Sequence, residues 1–272
     1  MKNESVKQLS IHKFLESSLK IADDIVAVEE PLEIAILPSL GHKKSISITM
    51  RTPGQDKELA VGFLYTEGII QNADQIEAVQ QISDNEVVVV LKNDEAIDLS
   101  KIERHFYTNS SCGVCGKSSI DQLRSVNASH KVKSNITISP KVLFELNQMV
   151  RQTQTIFEST GGIHASALFN TNGKLLSVFE DVGRHNALDK LIGHATITNQ
   201  LPLNNNVLFL SGRASFELIQ KAAMAGISII CALGAPSSMA IELANEFDIT
   251  LIGFLKNHSF NVYSRTDRLL IH

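Results

Sequence analysis

The sequence predicts an α/β protein: a small N-terminal α+β domain over residues 1–130, followed by a layered α/β domain over residues 136–272. Three observations lead there. Beyond Ser139, short apolar runs alternate with helical patterns, as strands and their crossover helices do. Before it, several strand-like runs surround one helical pattern. Between the two lies Asn127–Asn135, polar around a central Val132, which reads as a linker.

Residues 1–24 are polar, with a short helix expected around His12–Ile21. Ile25–Leu37 alternates well enough for two short strands broken at Pro31, because proline has no N–H for the ladder. A turn at Gly41–Lys44 leads into strand Ser45–Arg51, with Ile46, Ile48 and Met50 expected on one face. Thr52-Pro53-Gly54 is a turn, and Lys57–Glu67 is a helix stopped by Gly68. Val79–Ile82 and Glu86–Lys92 make a hairpin around Asp84-Asn85.

Ser118-Ser119 can cap a short helix from Ile120. Ser139-Pro140 starts a helix over Lys141–Phe157, with proline at its first position. Gly161–Phe169 leads through Asn172-Gly173 to strand Leu175–Glu180, and a helix runs from Ala187, capped by Asn186. Strands Asn206–Leu210, Ser228–Ala232 and Thr250–Leu255 alternate with helices Ser215–Ala225 and Ser237–Phe247, so this sheet is expected to be mostly parallel.

The totals narrow the function. The chain has 272 residues, enough to bury a substantial core in one or two domains. A formal charge of −4 disfavours broad nucleic-acid binding, which needs a basic footprint. No apolar run reaches the roughly 18 residues that span a bilayer, and the first residues lack a signal pattern. With 3 cysteines and no disulfide framework, a cytoplasmic setting is expected.

Chemistry concentrates in four stretches. Thr108–Lys117 holds Cys112 and Cys115 on a backbone loosened by Gly113 and Gly116. A pair so spaced can ligate half a metal site, cycle as a dithiol, act as nucleophile and helper, or carry sulfur as a persulfide. Zinc lacks a second pair, since Cys231 sits in an apolar strand, although His105 lies close enough in sequence for a mixed site. A thioredoxin-like dithiol lacks its βαβ context, and a hydrolytic deaminase lacks its glutamate, Ser166 standing where His164-Ala165 would need it. The structural alternative is a pair of incidental loop cysteines.

Glu180–Lys190 packs charged and hydrogen-bonding residues at a strand exit, where ligands of α/β sheets sit. Arg184 suits phosphate, and Asp181 or Asp189 could accept from ribose hydroxyls or guanine N–H groups. Read structurally, the same run is an ordinary helix start. Two look-alike turns, Leu210–Ser215 and Leu233–Ser238, place glycine, small residues and serine at helix N-termini and could cradle a pyrophosphate with Arg184 and Arg213. Last, Phe254–Tyr263 offers Lys256 and His258 to anionic groups and Phe260 or Tyr263 to a base, or is an edge hairpin with ordinary aromatics.

Taken together, Thr108–Lys117, Gly161–Ala165, Glu180–Lys190, Ser211–Glu217 and Gly234–Ser238 resemble the FdhD/NarQ family, and the likeness runs from Glu29 to Tyr263. That resemblance implies a sulfurtransferase serving formate dehydrogenase. A cysteine desulfurase would load Cys112 as a persulfide, with Cys115 as partner. The sulfur would pass to the molybdenum of the bis-molybdopterin guanine dinucleotide cofactor before insertion into apo formate dehydrogenase. The resemblance further implies a two-fold homodimer and a cytidine-deaminase-like, three-layer C-terminal domain. Its cofactor segment falls on Phe254, Leu255, Lys256, Asn257, His258 and Ser259, with Lys256 where the family has arginine: the charge stays and the planar fork is lost. The nucleotide end is expected at Gly161, His164, Asp181, Arg184, His185, Ser211, Gly212, Arg213, Ser215, Gly234 and Ser237, with GDP or GTP binding as fragments. A non-catalytic cofactor chaperone with redox-sensing thiols is the alternative.

Overall fold

The computed structural model describes residues 5–92 and 134–271. The cysteine stretch 108–117, the helix expected from Ile120 and the greater part of the expected linker lie outside the described residues.

The chain opens with a two-stranded antiparallel hairpin, β1 (Val6–Leu15) and β2 (Ser18–Ala27). The short helix expected at His12–Ile21 is therefore a correction. Its apolar residues Phe14, Leu19 and Ile21 are exposed, so burial imposes no pattern that the sequence could display. Then come β3 (Glu30–Leu37), β4 (Lys44–Arg51), α1 (Asp56–Thr66), β5 (Ile76–Ser83) and β6 (Glu86–Leu91). Strands β4-β3-β6-β5 form a four-stranded sheet. Pro31 does not break β3; it is the strand's second residue, where a missing N–H is tolerated.

On β4 the expected apolar face is only partly real. The β3 register moves from Ile34↔Ser47 to Ala35↔Ser45, skipping Ile46. That bulge changes which residues face inward, so Ile46 is buried while Ile48 and Met50 are exposed.

The second half holds α2 (Pro140–Thr153), α3 (Thr155–Thr160), β7 (His164–Asn170), β8 (Leu175–Asp181) and α4 (Arg184–Ile197). It continues through β9 (Asn206–Leu210), α5 (Phe216–Met224), β10 (Ile229–Ala232), α6 (Ser238–Glu246), β11 (Thr250–Gly253) and β12 (Asn261–Ser264). The expected Lys141–Phe157 helix divides at Gln154, whose ψ of 81° is not helical. The last parallel strand stops at Gly253 because Phe254 turns to φ 51°.

The sheet is six-stranded in the order β12-β11-β10-β9-β7-β8. The sheet is less parallel than expected: only the β9–β10 and β10–β11 pairs are parallel, because β7 and β8 join by a tight hairpin, β7 runs against β9, and β12 returns against β11. Its two faces bury different sets. Leu143, Leu146 and Val150 of α2 pack on Ala167, Phe169, Phe209 and Ile252. On the opposite face, α4, α5 and α6 pack on Leu168, Leu208, Leu210 and Ile230, which gives the three-layer arrangement expected.

The same core continues into the N-terminal half. Leu32, Ile34, Val87 and Val89 belong to one buried cluster with Leu59 and Leu64 of α1 and Leu188 and Leu191 of α4. Here α1 crosses α4 at a pair of glycines. A Cβ on Gly62 would lie 1.8 Å from the Asp189 carbonyl oxygen, and one on Gly193 would lie 1.8 Å from that of Glu58. The backbones touch, and no larger residue fits. Among the described residues, no helix is long and apolar enough to cross a membrane.

Candidate functional site

Sheet order determines what meets at the edge where the parallel strands end. The β7 strand begins there, and β8, β9, β10 and β11 finish there. Their flanking turns therefore stand side by side: 181–185, 161–164, 211–215, 234–237 and 254–259.

The two look-alike turns are directly tied. Gly234 N–H donates to the Gly212 carbonyl at 3.0 Å, Ser237 N–H to that of Ala214 at 3.0 Å, and Phe254 N–H to that of Gly234 at 3.2 Å. Gly234 is needed for this approach, since a Cβ there would meet Arg213 Cα at 2.9 Å. The helices that follow differ. Ser237 caps α6 by accepting from Ala240 N–H at 3.2 Å. Ser215 makes no side-chain cap on α5; its hydroxyl lies 3.2 Å from His185 Nε2.

His185 Nε2 also meets Glu217 Oε2 at 2.9 Å. Both contacts fall on one ring nitrogen, so this is not a serine–histidine–carboxylate relay, which uses both nitrogens. The His185 contact is the leading cause that holds the Glu217 carboxyl below its ordinary range. Next to it, the half-buried His164 lies against the second turn, where a Cβ on Gly212 would be 3.3 Å from its Nδ1. Burial first, then the nearby Arg184 and His185, push His164 below the usual histidine range. Arg184 has a buried Nε with no hydrogen-bond partner. Arg213 is exposed. Ser211 braces β7 by accepting from Ala165 N–H at 2.8 Å.

Other expected site residues play structural parts. Asp181 is wholly buried and ion-paired with Lys190 at 2.8 Å. It also accepts from Thr52 N–H, Gly183 N–H and Asn186 Nδ2. It has no exposed surface to offer a ligand, and it positions the start of α4. The cap of α4 is Gly183, not Asn186, which is buried and bonded to Thr49 and Met50. Asp189 is likewise buried against Lys221 and Thr66. Leu255 is part of the core under α2. Gly161, with φ 65°, ends α3. Phe254, Lys256, Asn257, His258 and Ser259 begin at the row, and His258 and Phe260 then lean on Phe144 of α2.

Two contributors were not singled out from sequence. Glu217 looks like any first-turn helix acid, and Lys190 like any helix lysine. No group of three or more metal-ligating side chains occurs among the described residues, and Cys231 is a core thiol whose pKa burial raises.

The chain matches the FdhD/NarQ family over residues 27–270. It belongs to that family. A sulfur carrier protein FdhD of Sulfurisphaera tokodaii is 41% identical over 265 residues, 97% of this chain and 99% of the relative. Another from Mycolicibacterium paratuberculosis is 44% identical over 255 residues, covering 90% and 92%. A crystal structure assigned as a formate dehydrogenase accessory protein, from Desulfotalea psychrophila, superposes with TM-score 0.75 at 22% identity. It covers 97% of this chain and 99% of its own, which establishes the shared fold. The FdhD/NarQ match spans all five turns of the row and the stretch holding Cys112 and Cys115.

Proposed function

We infer that the protein is a persulfide carrier that loads sulfur onto a guanine-dinucleotide form of the molybdenum cofactor destined for formate dehydrogenase. The Cys112 thiolate attacks the outer sulfur of a desulfurase persulfide. A new S–S bond forms at Cys112, and the donor cysteine leaves as a thiolate. Attack by Cys115 on the inner sulfur then closes a disulfide and releases the outer sulfur as sulfide, the two thiols supplying its two electrons. Sulfide in that form can become a ligand of the cofactor's metal, which is the cargo here. The donor is a cysteine desulfurase and the recipient an apo formate dehydrogenase; a cytoplasmic homodimer is the expected form.

The observation that carries the nucleotide part of this reading is the row of turns along one sheet edge. It gathers the partly buried Arg184, His164, exposed Arg213 and a helix, α5, without a side-chain cap. These are groups that receive a diphosphate. Lys256 and the aromatic shelf of Phe144 and Phe260 extend it towards the rest of a long ligand.

Intact-mass measurement after incubation with a desulfurase and cysteine tests the sulfur step. One added sulfur is expected on the wild type and on Cys115→Ala, and none on Cys112→Ala. No adduct on the wild type, or an adduct that survives in Cys112→Ala, would contradict it.

A further inference from the structure

The row has one unexpected member. The first turns of α4 and α6 contain no acidic residue, and that of α5 contains Glu217. The other carboxylates nearby are already engaged. Asp181 is neutralised internally by Lys190. Glu180 accepts from Ile156 N–H and Phe157 N–H at the start of α3. The Glu217 side chain pairs with His185 yet is 44% exposed, and it stands beside the turn where a diphosphate would lie. Facing it are His185 and Arg184 from α4 and Lys221 from its own helix, the last already paired with Glu67 and Asp189.

A carboxylate in an anion site works against its ligand unless it chooses between ligands. A nucleotide ending in a free phosphate carries a terminal charge of about −1.5 to −2 at neutral pH, as phosphomonoesters do. Esterifying that phosphate, as in a dinucleotide, leaves about one negative charge there. A fixed negative charge nearby penalises the first more than the second, and a half-exposed site attenuates but does not abolish the difference.

We propose that Glu217 is a specificity-determining residue that makes the row favour an esterified guanosine diphosphate over guanosine nucleotides ending in a free phosphate. This rests on the nucleotide reading above and goes beyond it. Free guanosine di- and triphosphates resemble one end of the cargo, so a carrier without such a device would be blocked by them. A first-turn acid also favours its own helix, so the test has to read ligand preference and not stability alone.

The test is calorimetric titration of the full chain with GDP, GTP and GDP-mannose, whose outer phosphate is esterified. In Glu217→Gln, which keeps an acceptor for His185, GDP and GTP should bind about threefold to tenfold more tightly, with GDP-mannose changed by less than about twofold. Glu217→Asp, which keeps the charge, should retain the wild-type preference. Equal changes for GDP and GDP-mannose, no change for GDP, or loss of preference in Glu217→Asp would each overturn the proposal. If the wild type binds none of the three, the nucleotide reading itself fails. If all three bind and Glu217→Gln changes nothing, only the role of Glu217 fails.

Discussion

Both carboxylate oxygens of Asp181 turn inward, onto Lys190, Thr52, Gly183 and Asn186. Lys190 Nζ in turn donates to the carbonyls of Thr52 at 2.9 Å and Glu180 at 3.3 Å. This buried pair pins the end of β8 and the start of α4 to the turn after β4, and so aims Arg184 and His185 along the row. Removing one partner strands the other charge away from water. Asp181→Ala should lower unfolding free energy by about 3–5 kcal/mol in urea titration; a loss below about 1 kcal/mol would show that the pair is not structural. In the sequence, Asp181 is one polar residue in a polar run. Lys190 sits further along, across a strand end and into a helix, where no periodicity links the two. The gathering of Arg184, His185, Ser211 and Gly212 at one sheet edge was legible because strand exits of an α/β sheet line up there. Glu217 was not, because acids are ordinary in first helical turns.

At the scale of elements, α1 and α4 cross with their backbones in contact. Gly62 and Gly193 each face the opposing backbone, with no room for a methyl group. On an exposed helix, glycine to alanine would stabilise by about 1 kcal/mol. Here the sign should reverse. Gly62→Ala is expected to cost about 1–3 kcal/mol, read as a lower urea midpoint with an unchanged slope; a raised midpoint would contradict the crossing. Buried elements were the readable ones: β9, β10, β11 and their helices announce themselves as apolar runs between small-residue turns. The β1–β2 hairpin was missed because its large apolar residues face outward, so nothing ties alternation to burial. The bulge at Ile46 was equally hidden, since it depends on pairing with β3 and not on local composition.

For the molecule as a whole, one buried cluster runs from the four-stranded sheet through α1 and α4 to the six-stranded sheet. The sequence showed two successive units but not their shared core, because the glycines that allow it look like any others. The expected boundary between residues 1–130 and 136–272 falls at the end of the undescribed stretch. The row of turns therefore rests on elements braced from both halves, and the stretch bearing Cys112 and Cys115 joins β6 of one half to α2 of the other. In the proposed function, the thiols of that stretch must reach cargo held at the sheet edge. The most direct test is a single-turnover transfer of isotopically labelled sulfur from loaded Cys112 to the guanine-dinucleotide cofactor, in the wild type and in Arg184→Ala. Label should leave the wild-type protein for the cofactor and stay on Arg184→Ala, which is expected to load normally but not to hold the diphosphate. Equal transfer by both proteins, or no transfer by either, would contradict a sulfur carrier that works through this row.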